Sequence, residues 1–299
     1  MTAKLLLLGK NGQVGWELQR ALAPLGELVA LDRAGSDGLC GDLADPQGLA
    51  QTVRRLRPQL IVNAAAYTAV DRAESEPEQA ARINADAPAV LAREAAALGA
   101  LLVHYSTDYV FDGGGQRPWR EDDAPAPLNV YGRTKLAGEQ AIVASGCAHL
   151  ILRTSWVYAS RGGNFAKTML RLARERERLS VIHDQWGAPT GADLIADVTA
   201  QAVMQLRAQP AKAGLYHLAA AGETNWFMYA KHVLDSARKA QPAIELKAKA
   251  IGPIPSSAYP VAARRPLNSR LDTRRLQAAF GLAMPPWQHG VDRLLAEIL

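Results

Sequence analysis

The first half of the chain alternates short apolar runs with stretches of helical spacing. Residues 4–9, 28–31, 60–63, 101–106 and 149–153 are compact, mostly apolar runs without regular polar alternation, the pattern of strands buried on both faces. Between them, residues 13–23, 46–56, 77–98 and 129–145 place apolar side chains at helical intervals. Pro24 stops the first of these helices, Asp45-Pro46 opens the second, and Gly99 closes the third, which reads as one long alanine-rich helix. Buried strands separated by helices predict an α/β fold: a Rossmann-type, doubly wound parallel sheet covered on both faces.

Beyond about residue 155 the rhythm loosens. Pro and Gly cluster over residues 187–191 and 252–266, and helical spacing recurs at 165–176, 193–206, 226–239 and 291–299. The pattern predicts a dinucleotide-binding domain over residues 1–157, with a returning segment near 188–218. The remainder of 158–299 then forms a smaller C-terminal α/β substrate-binding domain.

Composition narrows the function classes. With 299 residues, 48% of them hydrophobic, the chain can bury a large core and a smaller second one. A net charge of +5 is spread out, with no basic stripe interleaved with aromatics, so no nucleic-acid partner is expected. Cys40 and Cys147 are too few and too scattered for a disulfide framework and fit a reducing compartment. The apolar run at residues 5–8 is too short for a signal peptide, and no stretch approaches the roughly 20 apolar residues of a membrane span. A soluble cytoplasmic protein with no membrane partner is the expectation.

Candidate chemistry begins at Gly9-Lys10-Asn11-Gly12-Gln13-Val14-Gly15, between the first strand and first helix. Gly9 can make a tight turn, Gly12 lets backbone approach a pyrophosphate, and Gly15 allows close helix packing. The helix N-terminus offers free N–H groups and partial positive charge to phosphates. The spacing is Gly-x-x-Gly-x-x-Gly, and its place in a strand-turn-helix unit favours dinucleotide binding over a plain turn. Asp32 ends the second strand where an acid meets a ribose diol and favours NAD, whereas Arg33 beside it suits a 2′-phosphate. The preference between NADPH and NADH stays open. Asp42-Leu43 falls where the chain could pass an adenine, and Ala64, Ala65 and Ala66 either admit a cofactor or simply pack tightly.

Tyr131-Gly132-Arg133-Thr134-Lys135 opens a predicted helix, so Tyr131 and Lys135 share a face one turn apart. A phenol can protonate a carbonyl oxygen during ketone reduction, and a nearby ammonium lowers its pKa toward working pH. Thr107, at the end of the fourth strand, can orient that carbonyl at the sheet's carboxyl edge.

Glycine turn, strand-end threonine and Tyr-x-x-x-Lys together resemble the extended short-chain dehydrogenase/reductase superfamily. Longer stretches resemble its dTDP-4-dehydrorhamnose reductase family: residues 9–18, 63–71, 105–112, 153–158, 184–190 and 265–269. The resemblance implies NADPH- or NADH-dependent reduction of the 4-keto group of dTDP-4-dehydro-6-deoxy-L-mannose to dTDP-L-rhamnose. That reaction serves cell-surface polysaccharide (O-antigen, lipopolysaccharide) biosynthesis. It implies Tyr131 as proton donor, Lys135 as its pKa partner and Thr107 as carbonyl donor. Gly9, Asn11, Gly12, Gln13, Val14, Gly15, Asp32, Asp42, Leu43, Ala64, Ala65, Ala66, Tyr131 and Lys135 would hold the dinucleotide. Thr107, Asp108 and Trp156 would touch the dTDP-sugar. Arg264 and Arg265 are either a pyrophosphate clamp or solvated surface arginines. Glu17, Asp193 and Asp197 match acids that bridge Mg²⁺ in a homodimer of some family members; helix N-terminal acids favoured by the dipole are the alternative.

Trp16, Trp119, Trp226 and Trp287 are assigned to packing, and His104 to the core. Two other functions fit the same scaffold. An epimerase would release no oxidised cofactor, and a dehydratase usually carries Asp-Glu after the strand-end Ser/Thr, where this chain has Asp108-Tyr109. A non-catalytic nucleotide-binding regulatory subunit would be expected to lack the tyrosine or the lysine, and both stand here.

Overall fold

The computed structural model describes residues 3–241 and 243–299; Met1, Thr2 and Pro242 lie outside the described residues. In chain order the first half comprises β1 (Lys4–Leu8), α1 (Gln13–Leu22), β2 (Glu27–Leu31), α2 (Pro46–Leu56), β3 (Leu60–Asn63), α3 (Val70–Ala73), α4 (Pro77–Ala81), α5 (Ala87–Leu98), β4 (Leu101–Thr107), α6 (Val130–Ala144) and β5 (His149–Thr154). The second half comprises β6 (Val157–Tyr158), α7 (Phe165–Glu175), β7 (Arg178–Ile182), β8 (Trp186–Gly187), β9 (Thr190–Gly191), α8 (Ala192–Ala208), β10 (Gly214–His217), β11 (Thr224–Asn225), α9 (Trp226–Ala240), β12 (Ala250–Ile254), α10 (Arg274–Phe280) and α11 (Trp287–Ile298).

Six strands form one sheet in the order β2-β1-β3-β4-β5-β10, every neighbouring pair parallel. This is the expected Rossmann-type α/β architecture. Strand alternation explains why the strands read as unbroken apolar runs: Leu5 and Leu7 face the core shared with α1, α8 and α10, and Leu6 and Leu8 face the core shared with α2 and α5. Each such leucine contributes roughly 1.5–3 kcal/mol by leaving water. The connections after β1 and β3 run to opposite sides of β1, so a crevice opens at the carboxyl ends of these two strands.

A third core, of Leu170, Tyr229, Val233, Trp287 and Val291 among others, joins α7, α9 and α11. Three two-stranded pairs surround it: β7 with β12, β8 with β11, and β6 with β9. Four of these strands, β6, β8, β9 and β11, are two residues long and leave no periodicity in the sequence. Among the described residues no helix is long and apolar enough to cross a membrane.

The long helix expected over residues 77–98 runs unbroken, with one widened turn inside it. α4 gives way to a wider turn, Arg82–Asp86, before α5 resumes. Pro88 supplies the reason, since it lacks the N–H that a regular helix would direct at the Asn84 carbonyl. Gly138 of α6 packs against that carbonyl so closely that a Cβ would overlap it.

Candidate active site

At the crevice, Gly9 takes φ +88, and a Cβ there would come within 2.8 Å of the Ala65 nitrogen. A Cβ on Gly15 would overlap the Gly9 carbonyl, which is why the first turn of α1 can sit against the strand end. Gly12 stands at the N-cap of α1 without a side-chain cap, and a Cβ there would meet nothing closer than the Gly9 carbonyl oxygen at 3.4 Å. The helix therefore presents uncapped N–H groups on an open side, and Gln13 Oε1 is buried there without a partner among the described residues. The uncapped N–H groups, not the Gln13 oxygen, are the feature that a dinucleotide pyrophosphate fits.

Asn11 Nδ2 donates to Asp32 Oδ2 at 2.8 Å, and Lys10 Nζ stands 3.6 Å from the same oxygen. Arg33 turns away to Asp42, 3.4 Å distant, and Leu43 is buried beside it. Ala64 donates its N–H to the Leu8 carbonyl, so the end of β3 lies directly against the glycine turn, with Ala65 and Ala66 following.

The second group gathers where β4 ends and α6 begins. Asn129 caps α6 by accepting the Gly132 N–H at 2.8 Å and donates to the Arg264 carbonyl at 2.8 Å. A side chain at Gly132 would overlap the Tyr109 carbonyl, so the helix start is pressed onto the turn after Thr107. Tyr131 meets Tyr109 edge-on, ring centroids 5.7 Å apart. Burial pushes the Tyr131 phenol up to about 12; the neighbouring Thr107 hydroxyl opposes that rise and Asp108 adds to it. Thr107 itself donates to Asp108 Oδ1 at 3.2 Å and accepts the Tyr109 N–H.

Lys135 is not aimed at Tyr131. Its Nζ donates to the Tyr105 carbonyl at 2.6 Å and lies 3.1 Å from His104 Nε2. Burial lowers it to about 8, with Glu139 opposing. Lowering of the phenol by this ammonium, expected from the sequence, is absent from the geometry of the chain on its own. His104 is a core residue, as assigned, but one whose two ring nitrogens both have polar partners.

On the side facing the second half, Asp108 is buried, its carboxyl pushed up to about 7 by burial, and Oδ2 has no partner among the described residues. Trp156 adopts φ +50 and stacks on Trp226 at 3.7 Å, with Gly187 against its ring. Trp226 packs against Trp156, Phe165 and the third core, as its assignment to packing expected. Arg265 is a partly buried residue whose Nη2 pairs with Asp71 Oδ2 at 2.6 Å, and it stands beside Tyr109. Asp71 was visible in the sequence but had no assigned partner, because the two lie far apart along the chain.

In the single chain, Glu17, Asp193 and Asp197 are not gathered into a cluster that supports Mg²⁺. Asp197 pairs with Arg20 at 2.8 Å, Arg20 also approaches Glu17 at 3.6 Å, and Asp193 faces Arg293 at 3.6 Å. Arginines already balance these acids, and among the described residues no group of three His, Cys, Asp or Glu can hold a metal ion. Trp16 is 46% exposed rather than packed, with the Arg161 guanidinium 4.1 Å over its ring. Trp119 stacks on Phe111, and Trp287 is buried in the third core.

The model of the family described as RmlD substrate binding domain matches residues 3–299. The chain is 58% identical over 294 residues to dTDP-4-dehydrorhamnose reductase of Escherichia coli (strain K12), covering 98% of this chain and 97% of that protein. It is 47% identical over 300 residues to dTDP-4-dehydrorhamnose reductase of Burkholderia thailandensis, covering 99% of each. The crystal structure of dTDP-4-dehydrorhamnose reductase from Bacillus anthracis in complex with NADP is similar at a TM-score of 0.87 and 34% identity, covering 99% of this chain and 100% of that one.

Proposed function

The chain belongs to the RmlD substrate binding domain family, and from that membership we propose that it reduces the 4-keto group of dTDP-4-dehydro-6-deoxy-L-mannose to give dTDP-L-rhamnose. NADPH or NADH is the reductant, and the product feeds cell-surface polysaccharide synthesis. The observation that carries the reading is a convergence: the glycine turn, the Ala64-Ala65-Ala66 strand end and the Thr107–Tyr131 pair meet at one sheet edge in a chain 58% identical to such a reductase.

The reduced nicotinamide supplies the hydride to the carbonyl carbon; the remaining work falls to this chain. Gly9, Asn11, Gly12, Gln13, Val14 and Gly15 receive the pyrophosphate, Asp32 the adenosine ribose, Asp42 and Leu43 the adenine. Tyr131 delivers its phenolic proton to the carbonyl oxygen, while the Thr107 hydroxyl donates to the same oxygen and orients it. A phenol held at about 12 by burial stays protonated at neutral pH and gives its proton up only as charge builds on that oxygen. Lys135 Nζ keeps one N–H beyond its partners Tyr105 and His104, enough to hold a ribose hydroxyl. Asp108, Trp156 and Arg265 serve the sugar nucleotide; an Asp108 carboxyl raised to about 7 can donate to a sugar hydroxyl as well as accept. In this reading residues 1–157, with the segment near 188–218, carry the dinucleotide, and the rest of 158–299 the dTDP-sugar. A cytoplasmic setting, supported by the two free cysteines, and a homodimer belong to the same proposal.

Purified protein given NADPH and the 4-keto sugar nucleotide should consume the reduced nicotinamide's near-ultraviolet absorbance in proportion to product. Product formed without net cofactor oxidation would make the protein an epimerase instead.

A further inference from the structure

Behind the Tyr131 phenol runs a buried polar chain. Asn63 ends β3, His104 sits opposite it in the register of β4, and Lys135 reaches them from α6; their exposures are 1%, 1% and 2%. Asn63 Nδ2 lies 3.2 Å from His104 Nδ1, and His104 Nε2 lies 3.1 Å from Lys135 Nζ. Both ends are tied to backbone. Asn63 Oδ1 accepts the Ala65 N–H at 3.3 Å, and Lys135 Nζ donates to the Tyr105 carbonyl at 2.6 Å.

Counting donors and acceptors decides what this chain can do. With Asn63 Oδ1 engaged by Ala65, Nδ2 must donate, so His104 Nδ1 accepts and the ring proton resides on Nε2. That N–H points at Lys135 Nζ. An ammonium has three donors and no lone pair, so only a neutral amine closes the arrangement. A charged Lys135 requires the other tautomer, with Nε2 accepting. Nδ1–H then needs an acceptor, the Asn63 amide turns its oxygen toward it, and the Ala65 N–H is released.

We propose that Asn63 and His104 are positioning residues that couple the charge on Lys135 to the His104 tautomer and, through Asn63, to the Ala65 backbone in the cofactor cradle. The proposal rests on the reductase reading for its catalytic meaning, not for its hydrogen-bond logic. The groups around Lys135 allow it. On α6, Tyr131 and Glu139 stand one turn to either side, and Glu139 is already held by Arg153 of β5 at 2.9 and 2.6 Å. From β4 comes His104, and from β3 only the neutral Asn63. Burial, aided by the Lys135 ammonium, holds His104 well below its usual value, so the ring exchanges tautomers and not charge. Burial brings Lys135 to about 8, within reach of working pH.

The first test uses the native protein without cofactor. Imidazole nitrogen NMR of uniformly labelled protein, taken from about pH 6 to about pH 10, spans the Lys135 transition. The His104 ring should pass from the Nδ1–H to the Nε2–H form without becoming imidazolium. One tautomer throughout overturns the proposal, and this readout does not depend on turnover or on which substrate the enzyme takes. The second test compares His104→Gln and His104→Phe. The Phe variant should lose kcat on the order of tenfold and move the Lys135 limb of the kcat–pH profile by about one unit, and the Gln variant should recover most of both. Equal losses in both variants with an unmoved limb would reduce His104 to a packing role and defeat the proposal.

Discussion

Tyr131 is a weak acid in the resting protein because burial, more than any charge, governs its phenol. Its value as a catalyst lies in being protonated and placed, so removing the hydroxyl should remove the chemistry and spare the cradle. Tyr131→Phe is expected to lower kcat by roughly 10²–10⁴-fold while the NADPH Kd, read by fluorescence titration, changes less than about twofold; a variant that keeps most of its turnover would show that another group gives the proton. Asp32 raises a separate question, that of cofactor choice. Its carboxylate is held by Asn11 and Lys10 while Arg33 is drawn off by Asp42, so on the proposed reading it would repel a 2′-phosphate. Asp32→Asn should shift the ratio of kcat/KM values toward NADPH by on the order of tenfold, and steady-state kinetics with both cofactors would expose a failure as an unchanged ratio. The tyrosine, lysine and threonine could be found from the sequence because helical spacing and strand ends are local. The partners of Lys135 could not, since Tyr105 and His104 approach it from a strand some thirty residues away.

Elements are legible where their pattern is long. The five strands of the first half and the helices between them follow from uninterrupted apolar runs, because a parallel sheet buried on both faces leaves no polar alternation to confuse the reading. Pairs such as β8 with β11 are two residues long and leave no periodicity. The widened turn between α4 and α5 was encoded in Pro88 but was masked by the surrounding alanines. Between elements, α6 is fastened to β5 by Arg153 and Glu139, each only 4% exposed and paired at 2.6 Å, with the guanidinium over Phe111. Glu139→Ala would strand a buried guanidinium and should cost about 3–5 kcal/mol. Urea unfolding measures this directly, and a loss below about 1 kcal/mol would mean that water or another acid replaces Glu139.

For the whole molecule, the buried histidines set the response to acid. Burial, with the Arg153 guanidinium, holds His217 down to about 3, and His104 is likewise well below its ordinary value. Below about pH 6.5 the unfolded chain protonates both rings while burial disfavours the charged form of each in the folded chain; His217 stays neutral down to about 3 and withdraws up to about 1.4 kcal/mol of stability per pH unit, and His104 acts in the same direction. Asp108 acts oppositely: raised to about 7, its contribution is full below about pH 4 and lost as pH rises through about 7. Glu121, whose carboxyl burial also raises, joins Asp108 in opposing the two rings, and the lowered carboxyls of Asp71, Glu76 and Asp123 act with the rings, so the unfolding free energy should fall between about pH 6.5 and pH 4, with a shallower slope in His217→Gln. A stability that rises over that interval would contradict the burial of these groups. The central claim, that the crevice passes hydride from a reduced nicotinamide to C4 of a dTDP-linked keto sugar, is tested most directly with NADPH carrying deuterium on the transferable face of its nicotinamide C4. The account predicts one deuterium at C4 of the dTDP-L-rhamnose formed. Product without deuterium, or label retained in the nicotinamide, would contradict it.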